Sequence, residues 1–162
     1  FYSDLTREYS ERGVKVVVDA GGKVLSEVLQ NKPFLVKPNH HELSELFGVA
    51  INTVEEVIPY GKKVVEMGAQ NVIVSMAGDG ALLFTNGKVY SATVPKGQVI
   101  NSVGAGDSLV AGFIGTYSKQ QDFIQAFQMA VATGSATAFS KDLATAEKIH
   151  SLLDQVTIKE IQ

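Results

Sequence analysis

The chain has no cysteine and no tryptophan, and only four prolines in 162 residues. Without cysteine there is neither a disulfide framework nor a thiolate metal site, a composition that suits a reducing cytoplasm. No apolar run reaches the roughly 18 residues that a membrane-crossing helix needs, and no signal peptide is visible. No Lys/Arg cluster stands out beyond Lys62-Lys63, and the net charge is −3. That balance argues against nucleic acid or anionic membrane as a partner. Repeats, low-complexity stretches and linkers are also missing. What remains is a chain of 45% hydrophobic residues, enough for one globular domain with a real core.

The apolar pattern alternates helices with buried strands. Tyr2 to Arg12 reads as a helix with apolar residues at Tyr2, Leu5 and Tyr9. Val14 to Val18 is a nearly continuous β-branched run, suited to a parallel strand buried on both faces. Gly21-Gly22 leads into a helix through Gln30, Phe34 to Val36 forms a second strand, and His40 to Phe47 forms a helix closed by Gly48. Thr53-Val54-Glu55-Glu56 is a capping box that starts a helix to about Met67, which Pro59 should kink or shorten. Asn71 to Met76 is a third strand. Asn86-Gly87 between two alternating runs signals a hairpin, so the sheet acquires antiparallel members. Helices over 107–118, 122–140 and 145–155 and a strand over 156–158 complete the chain. The pattern predicts an α/β fold, a three-layer α/β/α sandwich with a mostly parallel, Rossmann-like sheet and one antiparallel hairpin. Ligands in such folds bind beyond the carboxyl ends of the strands. Lys37, Asn39, Ser75, Gly78 and Gly104 all follow predicted strand ends and should line one edge.

The densest chemistry lies in Asn-Ser-Val-Gly-Ala-Gly-Asp-Ser-Leu-Val-Ala-Gly, residues 101–112. Gly104 and Gly106 permit a tight turn and a close approach of backbone to a ligand. The helix that follows supplies free N–H groups and the positive end of its dipole, an anion site. Asp107 stands at its mouth. A carboxylate beside an anion hole suits proton removal from a hydroxyl as it attacks a phosphoryl group; the competing reading is a plain acid favoured by the helix dipole. A dinucleotide fingerprint needs glycine or alanine where Leu109 stands, and a P-loop needs Gly-Lys-Ser/Thr where Gly106 is followed by Asp107. Both common nucleotide loops are thus excluded, and the missing third glycine argues against a dehydrogenase, which tight Mg²⁺-independent NAD binding would revive.

This segment resembles the C-terminal signature of the ribokinase-like (pfkB-type) carbohydrate kinases, in the form found in the branch of 1-phosphofructokinases and tagatose-6-phosphate kinases. Phe34-Leu35-Val36-Lys37-Pro38-Asn39-His40-His41-Glu42-Leu43 is similar to the family's Lys-Pro-Asn-x-x-Glu-Leu motif, and Val17 to Gly22 to the turn before it. Ser75-Met76-Ala77-Gly78-Asp79-Gly80 is similar to its nucleotide loop. The four motifs occur in order over nearly the whole chain, but match only the C-terminal part of the family. The chain starts at Phe1 within a helix, and nothing corresponds to the family's N-terminal sugar-binding half and lid. Residues 1–162 are therefore expected to be the nucleotide-binding part of a longer kinase domain.

The resemblance implies ATP-dependent phosphoryl transfer to the C6 hydroxyl of a ketohexose phosphate, most simply fructose 1-phosphate giving fructose 1,6-bisphosphate. A tagatose-6-phosphate kinase is the alternative, as is a non-catalytic ATP-binding fragment. It implies Asp107 as general base and the amides of Gly104, Ala105 and Gly106 as the anion hole. It implies Lys37 on ATP phosphates, with Asn39 and Glu42 holding Mg²⁺ through water; Asn39 and Glu42 also read as an ordinary helix start. Ser75, Met76, Ala77, Gly78, Asp79 and Gly80 should wrap ATP through backbone N–H groups, and Thr133 should border the adenine. His40 and His41 are adjacent, with no third His or Cys near, so a metal role is not expected. Asp19 either approaches the sugar or caps the helix after Gly22. Small-molecule sugar phosphate, a cytoplasmic location and a homodimer of the full-length protein complete the implied picture.

Overall fold

The computed structural model describes all 162 residues, with the elements in the order β-strand and helix alternation predicts. Helices α1 (Tyr2–Glu11), α2 (Gly22–Leu29), α3 (His40–Phe47) and α4 (Val54–Glu66) intersperse β1 (Val17–Val18), β2 (Leu35–Val36) and β3 (Val72–Ser75). The hairpin β4 (Ala81–Thr85) and β5 (Lys88–Ala92) follows. Helices α5 (Ala105–Gln120), α6 (Phe123–Ala138) and α7 (Ala146–Leu153) come next, and β6 (Ile158–Glu160) ends the chain. The six strands form one mixed sheet in the order β1-β2-β3-β4-β5-β6. β1, β2 and β3 are parallel, with Val18 opposite Val36 and Val36 opposite Val72. The α/β class with an antiparallel hairpin is as the sequence predicts. Residues divide into two compact units: Phe1–Ala77 with Leu82–Tyr90 and Ile161–Gln162, and Gly78–Ala81 with Ser91–Glu160.

In the first unit Leu25, Leu29, Val36, Leu43, Val64, Val74, Leu82 and Phe84 are buried together, so α2, α3 and α4 turn their apolar stripes onto the strands. Their ends obey local chemistry. Asn39 and Thr53 each form a capping box, with Glu42 and Glu56 as reciprocal acceptors, and Gly48 closes α3 in the left-handed region at φ 63°. Contrary to expectation, α4 runs unbroken through Pro59 to Glu66. The missing Pro59 N–H would have met the Glu55 carbonyl, and both residues are exposed, so the freed oxygen is on the solvent side of the helix. The hairpin turn places Asn86 at φ 50° and Gly87 at φ 74°, as a type I′ turn requires. The first strand is shorter than its β-branched run: Val14 instead gives its N–H to the Tyr9 carbonyl at the end of α1.

In the second unit α6 buries Phe127, Ala130 and Val131, so this stripe is core, with Asp122 capping the helix through the Gln125 N–H. Phe113, Tyr117 and Phe123 form an aromatic cluster between α5 and α6, with Tyr117 and Phe123 centroids 4.8 Å apart. Helix α5 starts at Ala105, two residues before its expected start, because Gly104 adopts φ 78° and turns the chain directly into the first helical residue.

Candidate functional site

The parallel register of the first unit brings several predicted residues to one edge. Asp19, Lys37 and Asn39 lie just past the carboxyl ends of β1 and β2, and Ser75 closes β3. Asn39 and Ser75 form an isolated parallel bridge, and the Ser75 N–H donates to the Pro38 carbonyl at 3.1 Å. Lys37 is buried, and its Nζ lies 3.2 Å from Asp19 Oδ1. Asp19 thus does not cap α2, whose N-cap is Gly21 with no side-chain bond. Its partner was hidden in the sequence because the two residues are joined only by the register of parallel strands. The one available signal was that each directly follows a β-branched or apolar strand.

Asn39 Oδ1 accepts the Glu42 N–H at 2.9 Å, and Glu42 Oε2 accepts the Asn39 N–H at 2.8 Å. The helix-start reading of this pair is therefore realised, and it leaves Glu42 Oε1 without a hydrogen bond. Gly21 packs against this carboxylate: a Cβ there would lie 2.8 Å from Glu42 Cγ. The residues hold no cluster of three His, Cys, Asp or Glu fit for direct metal binding. One spare carboxylate oxygen on Glu42 fits Mg²⁺ held through water, an ion that dehydrates reluctantly and keeps several waters. His40 and His41 have ring centroids 3.9 Å apart with planes inclined at 38°; His41 is exposed, whereas the Nδ1 of His40 is buried with no hydrogen-bond partner.

In the loop after β3, Met76 buries its side chain in the core, so only its backbone is available to a ligand. Ala77 sits at φ 49°, an uncommon conformation for a residue with a Cβ, at the start of a 3₁₀ turn over Ala77–Asp79. Gly78 and Asp79 are exposed. Gly80 is buried at φ 106°, where a Cβ would come within 2.4 Å of the Ala92 carbonyl oxygen.

In the second unit the Gly104 turn puts Asp107 at the third residue of α5, exposed and without a hydrogen bond or ion pair. The amides of Gly106 and Asp107 have no acceptor within the chain, as the first turn of a helix dictates. The Ala105 amide differs from expectation: it donates to the Ser102 carbonyl at 3.2 Å and is taken. Asn101 organises the preceding loop. Its Oδ1 accepts the Val103 N–H at 3.0 Å, its Nδ2 donates to the Lys141 carbonyl at 3.2 Å, and its own N–H donates to the Ala138 carbonyl at 3.1 Å. Behind the turn, Thr137 donates to Ser108 Oγ at 2.9 Å, and both are buried. Thr133, expected beside the adenine, gives its hydroxyl to the Met129 carbonyl at 2.7 Å and packs against Gly112.

The pfkB family carbohydrate kinase model matches residues 3–149, and the chain belongs to that family. It is 54% identical over 160 residues to the 1-phosphofructokinase of Bacillus subtilis (strain 168), covering 99% of this chain and 53% of that protein. It is 35% identical over 162 residues to the D-tagatose-1-phosphate kinase of Bacillus licheniformis, covering 99% of this chain and 53% of that protein. A solved structure of a Staphylococcus aureus protein assigned as a phosphofructokinase superposes with a TM-score of 0.94 at 41% identity, covering 99% of this chain and 53% of that one. The chain spans about half the length of the curated relatives it matches. No helix is long and apolar enough to cross a membrane.

Proposed function

We propose that residues 1–162 are the nucleotide-binding C-terminal part of an ATP-dependent sugar-phosphate kinase, acting on the C6 hydroxyl of a ketohexose phosphate in the cytoplasm. Fructose 1-phosphate is the acceptor this reading favours, through similarity to a relative named 1-phosphofructokinase. A tagatose phosphate is the second candidate, because a relative named D-tagatose-1-phosphate kinase matches over the same span.

The observation that carries the reading is Asp107. It is an exposed, unpaired carboxylate on the first turn of α5, beside the free amides of Gly106 and its own residue. As general base, Asp107 takes the C6 hydroxyl proton while the oxygen attacks the γ-phosphorus; the bond to the ADP oxygen breaks, and ADP carries away the electron pair. The proton leaves late in a loose transition state, so the step asks little basicity of the carboxylate. The amides and the helix dipole hold the oxygens of the migrating phosphoryl group. Lys37 contributes its ammonium to the ATP phosphates, and the backbone of residues 75–80 wraps the nucleotide. Asn39 and Glu42 would hold Mg²⁺ through water, and the ion, when bound with the nucleotide, would neutralise phosphate charge.

Asp107→Asn in the complete natural polypeptide tests the assignment. The substitution keeps shape and removes basicity, so kcat should fall about 10²–10⁴-fold, with KM for ATP little changed, in a coupled ADP assay against a panel of sugar phosphates. Retention of most of the turnover would remove Asp107 from the role of base.

A further inference from the structure

We infer that Asp19 is the positioning residue for Lys37: its carboxylate, delivered by the neighbouring parallel strand, fixes the lysine ammonium in the orientation phosphoryl transfer requires. The inference rests on the proposed role of Lys37 at the ATP phosphates. Asp107 plays no part in it.

Lys37 is one of the few charged side chains enclosed by the protein, 6% exposed, against 31% for Asp19. A buried ammonium without a counter-charge is strongly unfavourable. A lysine also has four rotatable carbons and no intrinsic geometry. The backbone solves both problems. Val17 and Val18 align with Leu35 and Val36, and the Lys37 N–H donates to the Val18 carbonyl at 3.3 Å. The next residue on each strand is therefore Asp19 beside Lys37, and the ion pair of 3.2 Å closes the register. The helix-surface pair Arg12–Glu8 behaves differently: its partners are 63% and 51% exposed, and such pairs fix little. Asp19 Oδ1 engages one direction of an ammonium that has three donors.

The turn that carries Asp19 is itself held. Gly21, two residues on, has no room for a Cβ because Glu42 Cγ would lie 2.8 Å away. The carboxylate of Asp19, the ammonium of Lys37 and the carboxylate of Glu42 are thus set by one packed corner of the first unit. Asp19 touches neither nucleotide nor sugar in this scheme; it acts through Lys37.

The test uses the complete natural polypeptide and four variants: Asp19→Glu, Asp19→Asn, Lys37→Met and the Asp19→Asn/Lys37→Met double variant. Asp19→Glu keeps the charge and the fold but moves the carboxylate by one methylene, so kcat should fall about tenfold or more at an unchanged melting temperature. Asp19→Asn should cost about 10–100-fold in kcat, and less than about twofold once Lys37 is already methionine, because the two act as one unit. Wild-type turnover in Asp19→Glu overturns the inference. So does an Asp19→Asn loss of equal size in both backgrounds, or a fall in melting temperature with turnover intact. If Lys37→Met itself turns over normally, the phosphate role of Lys37 fails and the positioning role falls with it. If Lys37→Met is crippled while the Asp19 variants are normal, only the positioning role fails.

Discussion

At the scale of single residues, buried polar groups are the most exacting feature of the first unit. Asn71 is buried, donates to the Phe34 carbonyl at 2.8 Å and accepts the Thr85 hydroxyl at 2.7 Å. Replacing it by alanine removes a hydrogen-bond partner from a buried carbonyl and from a buried hydroxyl. Asn71→Ala should lower the unfolding free energy by about 2–4 kcal/mol, read from the urea midpoint. Adding Thr85→Val should recover part of that loss, since the orphaned hydroxyl is then gone. The chemistry at this scale was partly legible in the sequence. Asp107 and the Gly104 turn announced themselves through residue types packed into a few positions. The Asn39–Glu42 reciprocal bonds followed from spacing alone. The Asp19–Lys37 pair and the Asn71–Thr85 bond did not, because each depends on which strand lies beside which, and the residues concerned are 18 and 14 positions apart. Thr133 gives its hydroxyl to its own helix, at the contact with Gly112, a partner that residue type alone does not announce.

At the scale of elements, helix starts and stops were readable wherever a short motif sets them. Thr53, Asp122 and Thr145 each cap the helix that begins one residue later, and Gly48 ends α3. Strand lengths were less readable, since a β-branched run specifies an extended tendency but only a neighbour makes a ladder. Pro59 shows the same limit in a helix, because its effect depends on whether water reaches the freed carbonyl. The packing of α5 on α6 depends on a glycine. A Cβ on Gly112 would sit 2.5 Å from Thr133 Oγ1 and 3.0 Å from the Met129 carbonyl oxygen. Alanine is the better helix former by about 1 kcal/mol, yet Gly112→Ala should destabilise by about 1–3 kcal/mol through overpacking. Thr133→Ala in that background should restore only part, because the Cβ at 133 and the Met129 carbonyl remain. Thermal unfolding of the two variants decides the matter, and a melting temperature raised by Gly112→Ala would contradict the packing account.

For the whole molecule, the α/β class and the mixed sheet followed from alternation of element types, which is a property of the entire chain and survives errors at each boundary. The chain spans about half the length of the curated relatives it matches, and the part it plays in the proposed activity is open to direct test. Residues 1–162 prepared alone should bind ATP but release no ADP when a sugar phosphate is added, whereas the complete polypeptide should do both. A coupled assay on the two preparations distinguishes them, and sugar-dependent ADP release by the short chain would show that the sugar site is already contained in it. The outermost strand bears on any such preparation. β1 pairs with β2 on one side only, and the alternation of a parallel ladder turns the peptide groups of Val17 outward. They open on a groove of about 660 Å³ lined by Tyr2, Leu5, Tyr9, Val14 and Val16. Such a border can be extended by any passing extended peptide. Handled by itself, the polypeptide should therefore associate through this border as its concentration rises, which light scattering over a dilution series would read.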